Sequence, residues 1–176
     1  MITTEVFLRY CDESLDQYAA ICRALGDDGV NARLPELPGS NSAFALVTHV
    51  AGVMARWGRT VNRGIEVPRD RPAEFTATGT VEEALALLAA ARTGLHEDVL
   101  ACDPGAPPRN PPPDEPDAYA TQGDVLLHVY EELAQHLGQL EVTRDVLGAE
   151  PRRRAGGRRG SGSSPADPGD AARDDA

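Results

Sequence analysis

Apolar residues recur at every third or fourth position in four stretches of the chain, a spacing that places them on one face of an α-helix. The first predicted helix covers about residues 3–25 and stops at Gly26; its apolar stripe is Phe7, Cys11, Leu15, Tyr18, Cys22 and Leu25. The second follows Pro38-Gly39-Ser40, with Ser40 or Asn41 as its N-cap, and runs to about Val61.

The third and fourth helices have the clearest start signals. Thr80-Val81-Glu82-Glu83 has the pattern of a capping box ahead of an Ala/Leu run at 84–91. The fourth helix covers about 122–147, between a Thr121 cap and Gly148, and its stripe is Leu126, Tyr130, Leu133, Leu137 and Leu140. Because no stretch has the alternation and hairpin turns of strands, we predict an all-α fold, a four-helix bundle with long crossover loops.

Composition divides the chain at residue 151. Residues 151–176 contain no Leu, Ile, Val or aromatic residue, so this Arg/Gly/Ser/Pro/Asp-rich segment cannot bury enough apolar surface to fold. We therefore expect one helical domain at 1–150 and a disordered tail at 151–176. The tail's arginine cluster suits either a solubilising role or contact with an anionic partner, and comprises Arg152, Arg153, Arg154, Arg158 and Arg159.

The overall charge and the cysteine count exclude several classes of protein. With 28 acidic against 17 basic residues, the net charge is −11, which argues against nucleic-acid binding. The longest apolar run, 84–91, is far shorter than the ~20 residues of a membrane span, and the first residues do not resemble a secretory signal. Three cysteines without close spacing fit neither a disulfide scaffold nor a zinc–cysteine site, so we expect a reduced, cytoplasmic protein with no membrane partner.

Several polar residues fall where a bundle core should be apolar. His49 shares its helix face with alanine, leucine, glycine and valine. On the fourth helix His128, Glu132 and His136 follow one another at steps of four, with Gln139 just beyond, so they form a row beside the apolar stripe. Burying such groups costs free energy unless each finds a partner or a metal.

A divalent metal would explain this arrangement. Glu132 and His136, one turn apart, can reach the same ion, and His49 is the other histidine on an inward face. Two histidines and one carboxylate form a ligand set of catalytic zinc, and the set also suits non-haem iron. The alternatives are a core histidine bonded to a carbonyl at position 49, a surface carboxylate at 132, and His128 as a ligand in place of either partner.

Two helices and one connection resemble a known superfamily. The segments are Asn41 to Ala51 (NSAFALVTHVA), Arg69 to Phe75 (RDRPAEF) and His128 to Gln139 (HVYEELAQHLGQ). They resemble the DinB-like superfamily, in particular the metal-binding domain of mycothiol-dependent maleylpyruvate isomerase and its single-domain relatives, the mycothiol S-transferases. Over residues 3–148 the resemblance implies a four-helix bundle with a long crossover and a metal triad of His49, Glu132 and His136.

The resemblance also implies a function. It indicates a metal-dependent transferase in which a divalent metal (zinc first, with iron or nickel as alternatives) activates a low-molecular-weight thiol, mycothiol, for attack on an electrophilic small molecule, as in detoxification. Gln139 is the candidate to orient the bound thiol. The isomerase carries a second C-terminal domain, and the predicted tail stands in its place here, which argues against maleylpyruvate isomerisation.

Other roles remain open on the sequence. The bundle could be a non-catalytic protein that binds a metal or small molecule, or an anion-binding protein acting through the tail. The sequence leaves open a homodimer. It also does not decide which side chains near the triad face a pocket and which face solvent; the candidates are Arg56, Trp57, Arg59, Arg69 and Arg71.

Overall fold

A computed structural model describes residues 3–114, 116 and 118–156, with side chains up to residue 148. Within these residues the chain forms α-helices and no strand, so the all-α prediction is confirmed. The α-helices are Thr4–Val30 (α1), Ala43–Met54 (α2), Arg71–Glu74 (α3), Val81–Leu100 (α4) and Gln122–Gly156 (α5). A π-helical segment, Ala55–Asn62, continues directly from α2.

The first helix breaks where the sequence predicts it to stop. Gly26 has φ 68° and ψ 178°, a conformation in the left-handed half of backbone space that glycine adopts without a steric penalty. The chain then resumes helical geometry as far as Val30, an extension that the stop signal did not predict. At the other end the Thr3 side chain accepts a hydrogen bond from the Val6 amide, at 3.3 Å.

The cap predicted for the second helix is wrong by one or two positions. Ser42 is the N-cap, and its hydroxyl oxygen accepts a hydrogen bond from the Ala45 amide at 3.2 Å. The Ser40 hydroxyl oxygen instead accepts from the Leu34 amide at 2.9 Å, which ties together the connection that precedes the helix. The predicted end near Val61 is confirmed, but the last two turns are π-helical, a difference that the apolar spacing does not reveal.

Reciprocal caps fix the starts of α4 and α5. In α4 the Glu83 amide donates to Thr80 Oγ1 at 3.2 Å and the Thr80 amide donates to Glu83 Oε2 at 2.7 Å, which confirms the capping box. In α5 the Asp124 amide donates to Thr121 Oγ1 at 3.1 Å and the Thr121 amide donates to Asp124 Oδ2 at 2.9 Å.

The predicted end of the last helix at Gly148 is wrong, because α5 continues to Gly156. Gly148 has no positive φ and so makes no left-handed cap. An isolated glycine costs a helix about 1 kcal/mol relative to alanine but does not by itself end it. The helix therefore enters residues 151–156 of the predicted tail, and residues 157–176 lie outside the described part of the chain.

The long helices pack around one aliphatic core. Helices α1 and α2 each pack against both α4 and α5, so the order around the bundle is α1, α4, α2, α5. Helices α1 and α2, which are consecutive in the chain, are therefore diagonal in the bundle, and so are α4 and α5. Long connections are needed to cross between them. The largest fully buried side chains are Tyr18, Leu15, Leu46, Met54, Leu95, Leu133 and Leu140.

Two connections are held against the bundle by specific contacts. The second contains the short helix α3, which packs on α2. The third, rich in proline, is bound to the start of α5 by Gln122, whose side chain accepts from the Asp103 amide and donates to the Pro107 carbonyl, both at 3.1 Å. No helix among the described residues combines the length and the apolar character that crossing a membrane requires.

Candidate metal centre

The three residues predicted as a metal triad come together between α2 and α5. His49 Nε2 lies 3.5 Å from Glu132 Oε2, and His136 Nε2 lies 3.2 Å from the same oxygen. One donor atom from each residue lies within 4.8 Å of the other two. The rings of His49 and His136 stand nearly perpendicular, with centroids 4.7 Å apart. This is the one group of three or more such side chains found among the described residues that could hold a metal ion.

His49 is held from behind by a carboxylate that lies in the second connection. Its Nδ1 is 2.8 Å from Glu74 Oε2, and both side chains are almost completely buried. Arg69 donates to both oxygens of Glu74, from Nε to Oε1 at 2.6 Å and from Nη2 to Oε2 at 2.9 Å. Such a bidentate arginine compensates the buried charge of the carboxylate and fixes its orientation.

Glycine at position 52 makes room for this carboxylate. Gly52 lies one turn beyond His49 on α2, and a methyl group there would overlap Glu74 Oε1. The absence of a side chain at one helical position therefore allows Glu74 to approach the ring of His49 from the connection.

His136 has a similar partner on its own helix. Its Nδ1 is 3.0 Å from Gln139 Oε1, three residues further along α5. The structure thus places Gln139 beside the ring of His136, where it can fix the orientation of that ring. The sequence singled out Gln139 for the ligand rather than for the histidine, but the two roles act on the same site.

The three potential ligand atoms of the triad are arranged to bind a cation rather than to hydrogen-bond with one another. With Nδ1–H of each ring donating to Glu74 or Gln139, each neutral ring presents a lone pair at Nε2. Burial lowers the pKa of His49 below its ordinary value of 6.5, outweighing the opposite effect of the Glu74 hydrogen bond, and so favours the neutral form. In this tautomer two nitrogen lone pairs and a carboxylate oxygen converge, an arrangement that a positive ion would stabilise.

The separations also match those around a metal. Nitrogen and oxygen ligands lie about 2.0–2.2 Å from zinc, so two ligands of a tetrahedral site are roughly 3.3 Å apart. The distances of 3.5 and 3.2 Å from Glu132 Oε2 to the two histidine nitrogens are close to this value. The residues present therefore fit a divalent metal with three protein ligands and a further position left for another group.

His128 lies one turn away from the triad and outside it. Its Nε2 is 3.8 Å from Glu132 Oε1, and its Nδ1 is 3.3 Å from Glu131 Oε2. The ring packs between Trp57 and Tyr119, with centroids 4.8 Å and 5.4 Å away. The sequence left His128 open as a competing ligand, and the structure places it in the aromatic wall of a cavity instead.

That cavity, of about 610 Å³, opens beside the triad. His49 and Glu132 form part of its wall, and the other lining residues are Val53, Arg56, Trp57, Arg69, Arg71, Pro112, Asp114 and His128. Arg59, which the sequence could not place, faces α4 instead, where its Nε donates to Asp98 Oδ1 at 3.1 Å. Arg56, Arg69, Arg71 and Trp57 are thus the members of that group that face the cavity.

The cysteines of the chain are poor nucleophiles. Cys11 and Cys22 are buried, and burial raises the pKa of Cys11 to about 12 and that of Cys22 to about 11. Burial also raises the pKa of Cys102, which is half-buried. Because the thiolate is the reactive form, these side chains remain unreactive at neutral pH.

Sequence reasoning missed Glu74 as part of the site. Glu74 lies within the segment Arg69 to Phe75, which carries part of the family resemblance but indicates no role for this residue. The connection has no periodicity that would reveal which side chain turns inward, and the partner histidine lies 25 residues earlier. The available signal was Asp70 followed by Arg71-Pro72, since Asp70 caps α3 by accepting from the Ala73 amide at 3.1 Å, and a short helix there turns Glu74 inward.

Comparison with known proteins places this site in a family. No curated protein and no solved structure matches the chain. The family model described as Mycothiol-S-transferase matches residues 6–149. This range runs from the first turn of α1 to the last described side chains of α5, and it contains all the residues of the candidate metal centre. The chain therefore belongs to the Mycothiol-S-transferase family.

Proposed function

We propose that this protein is a metal-dependent S-transferase that activates mycothiol for attack on an electrophilic small molecule. The observation that carries the proposal is the convergence of three potential metal-ligand atoms, from His49, Glu132 and His136, beside an open cavity. Membership of the Mycothiol-S-transferase family supports mycothiol as the thiol, and the arrangement of the three ligand atoms supports a bound metal.

The three residues of the triad would hold a divalent cation, with zinc as our first choice and iron or nickel as alternatives. A cation bound there supplies one kind of chemistry, which is to stabilise the thiolate form of a thiol whose ordinary pKa is about 8.5. Glu74, with Arg69 behind it, fixes the ring of His49 so that Nε2 faces the site. Gln139 does the same for His136.

The cavity provides for the second substrate. Trp57 lines the cavity, and its ring contacts that of Tyr119 edge to face, with centroids 5.1 Å apart. In the transfer the thiolate sulfur forms a bond to the electrophilic carbon, and the leaving group departs with its electron pair. Because the protein's own cysteines are held protonated, the attacking sulfur belongs to the thiol substrate.

The other parts of the proposal follow from the same chemistry. The use of a free thiol and three unpaired cysteines fit a reducing compartment, which supports our assignment to the cytoplasm and to detoxification of electrophiles. The family and the polar cavity favour small-molecule partners rather than a nucleic acid or a membrane.

Conjugation assays on purified protein test the proposal. Zinc-loaded protein is mixed with mycothiol and 1-chloro-2,4-dinitrobenzene, and the coloured product is followed against the reaction of the thiol alone. We expect a rate above the spontaneous rate that is lost on chelation, restored by zinc and absent in His136→Ala. The matched control is His96→Ala, a helix histidine far from the cavity, which should keep the wild-type rate.

Two results would contradict the proposal. Protein that binds about one zinc per chain but never exceeds the spontaneous rate with a range of electrophiles would be a non-catalytic metal-binding bundle. Folded protein that retains no metal after reloading would remove the metal-dependent mechanism altogether.

A further inference from the structure

Two arginines in the cavity have no acidic partner among the residues that the structure describes. Arg69 is committed to Glu74, whereas Arg56 and Arg71 form no ion pair or hydrogen bond with any residue in the described part of the chain. Both nevertheless line the cavity beside His49 and Glu132. Arg56 is half-buried and Arg71 is exposed, so both guanidinium groups are accessible to an anionic ligand that enters the cavity.

The arginines are placed by neighbours that do not use up their hydrogen bonds. Arg56 is half-buried on the π-helical segment, next to Trp57. The Arg71 guanidinium lies over the ring of Phe75, 5.4 Å from its centroid, and Phe75 packs on His49 with centroids 4.5 Å apart. Stacking on an aromatic face orients a guanidinium and leaves its N–H donors free, so Arg71 is held close to the triad and ready to bind.

The other charged side chains that the structure describes around the cavity do not satisfy these donors. Glu132 is directed at the two histidines, with Oε2 3.2 Å from His136 Nε2. Asp114, in the third connection, is the other carboxylate of the wall, and it makes no ion pair with either arginine. An incoming carboxylate would therefore meet two guanidinium groups that make no ion pair with any described residue.

We propose that Arg56 and Arg71 bind a carboxylate carried by the electrophile, so that the transferase acts on small anionic electrophiles. The inference rests on the proposed function for the reaction, but not for the binding of the carboxylate. Mycothiol does not provide this carboxylate, because the carboxyl group of its cysteine forms an amide and carries no charge. Planar guanidinium groups recognise a carboxylate through paired, charge-assisted hydrogen bonds.

A pair of substrates that differ in one charge tests the reaction. The probes are 4-(chloromethyl)benzoate and its methyl ester, with mycothiol as the thiol. In both, the sulfur forms a bond to the benzylic carbon, the C–Cl bond breaks, and chloride leaves with the electron pair while the thiol proton passes to the buffer. Chloride release above the spontaneous rate gives kcat/KM for each probe.

We expect wild-type protein to prefer the acid over the ester, after correction for their spontaneous rates. In Arg56→Gln/Arg71→Gln the ratio of acid to ester kcat/KM should fall by about tenfold or more, since charged hydrogen bonds are lost for the acid alone. The matched control is Arg9→Gln, an exposed arginine of α1 paired with Glu13, which should leave the ratio unchanged. A ratio that the double variant does not alter would overturn the inference.

Binding of an unreactive analogue separates this inference from the proposed function. The probe is 4-methylbenzoate, titrated by calorimetry into zinc-loaded and metal-free protein. We expect saturable binding to both forms, weakened about tenfold or more in the double variant and unchanged in Arg9→Gln. This result would support the carboxylate site even if neither chloromethyl probe were turned over.

Three outcomes of the titration would overturn the carboxylate site. They are absence of saturable binding, binding that is indifferent to both arginines, and binding that disappears with the metal, since the last would mean that the carboxylate binds the metal directly. Because Arg56 and Arg71 have no acidic partner among the described residues, and the Arg9–Glu13 pair is exposed, the double variant and Arg9→Gln should both fold. Thermal unfolding of each protein checks this.

Discussion

Two histidines of the bundle each bond a carboxylate from another element, yet only one of them contributes to a site. His96 on α4 bonds both oxygens of Asp12 on α1 at 3.0 Å, with side chains 38% and 31% exposed. His49 on α2 bonds Glu74 at 2.8 Å, with side chains 3% and 8% exposed. Histidine and carboxylate occur in both places, but the second nitrogen differs in what it faces.

At His49 the second ring nitrogen, Nε2, faces the carboxylate of Glu132, and the ring of His136 lies beside it. At His96 the pair is half-exposed, and Arg92 Nε also lies 3.4 Å from Asp12, so the negative charge already has a cation beside it. The comparison shows that a histidine–carboxylate bond is by itself uninformative. The signal for a metal is the convergence of several potential ligand atoms from two helices on one point, supported by hydrogen bonds behind the histidines.

Removing a triad histidine should give the largest difference between the two regions. We expect His49→Ala and His136→Ala to lower zinc affinity more than about 100-fold, beyond the range for residues that support a ligand. His96→Ala should retain about one zinc per chain. Metal content by mass spectrometry after dialysis measures both, and circular dichroism checks that the helices remain. Equal metal loss in His96→Ala would break the comparison.

Removing the carboxylates behind the histidines should give the next largest effect. Glu74→Ala frees the ring of His49 and leaves Arg69 without its anion, so we expect zinc affinity to fall by about 10- to 100-fold. Asp12→Asn, its counterpart beside His96, should change affinity by less than twofold. Competition with a chromophoric chelator gives both values, and partial recovery in Glu74→Gln would show that the hydrogen bond to His49 is what matters.

A methyl group on each helix distinguishes the packing around the two histidines. Gly52→Ala should destabilise the protein by about 1–3 kcal/mol, because the methyl overlaps Glu74, although alanine favours a helix over glycine. Gly94→Ala, two residues before His96, would meet only Arg59 Nη2 at 3.4 Å and should be neutral or stabilising. Urea unfolding compares the two, and a stable Gly52→Ala would show that Glu74 has freedom to move.

The smallest expected effect is the dependence of stability on pH in the metal-free protein. Burial depresses the pKa of His49 in the folded state, so the unfolded state binds more protons as pH falls through the ordinary value of 6.5. This contribution to stability is fully present above 6.5 and is lost as pH falls toward the lower folded pKa. His49→Gln should flatten the curve of unfolding free energy over this range, and an unchanged curve would contradict the assignment.

The architecture was predictable because its signals are local or periodic. The stripe from Phe7 to Leu25, the Gly26 break and the Thr80–Glu83 box each rest on residues within a few turns of one another. The triad was accessible for a similar reason, since Glu132 and His136 share one helix face and His49 was the one histidine left on an inward face. Residue type and helical spacing singled out these three residues with His128 as a competitor, and the family resemblance then implied the set of three.

The remainder depended on contacts that no spacing encodes. Glu74 contacts His49 from a connection, and Gly52 is important because it faces Glu74. Nothing in the sequence distinguishes Arg59 from Arg71 as cavity residues. In the structure Arg59 pairs with Asp98, whereas Arg71 lines the cavity. The end of α5 was missed because Gly148 is compatible with a helix as well as with its end.

The π-helical segment bears on how the length of this chain can vary. Each hydrogen bond in residues 55–62 spans one residue more than in an α-helix, so the loss of one residue there can be absorbed by a return to α-helical pitch. In α2 or α5 the same deletion would turn every later side chain by roughly 100° and separate His49 from Glu132. Relatives with one residue fewer in this part of the chain could keep the metal centre and still present a different side chain at the position of Arg56. If the proposed function holds, length variation there would alter the choice of electrophile without disturbing the candidate metal centre.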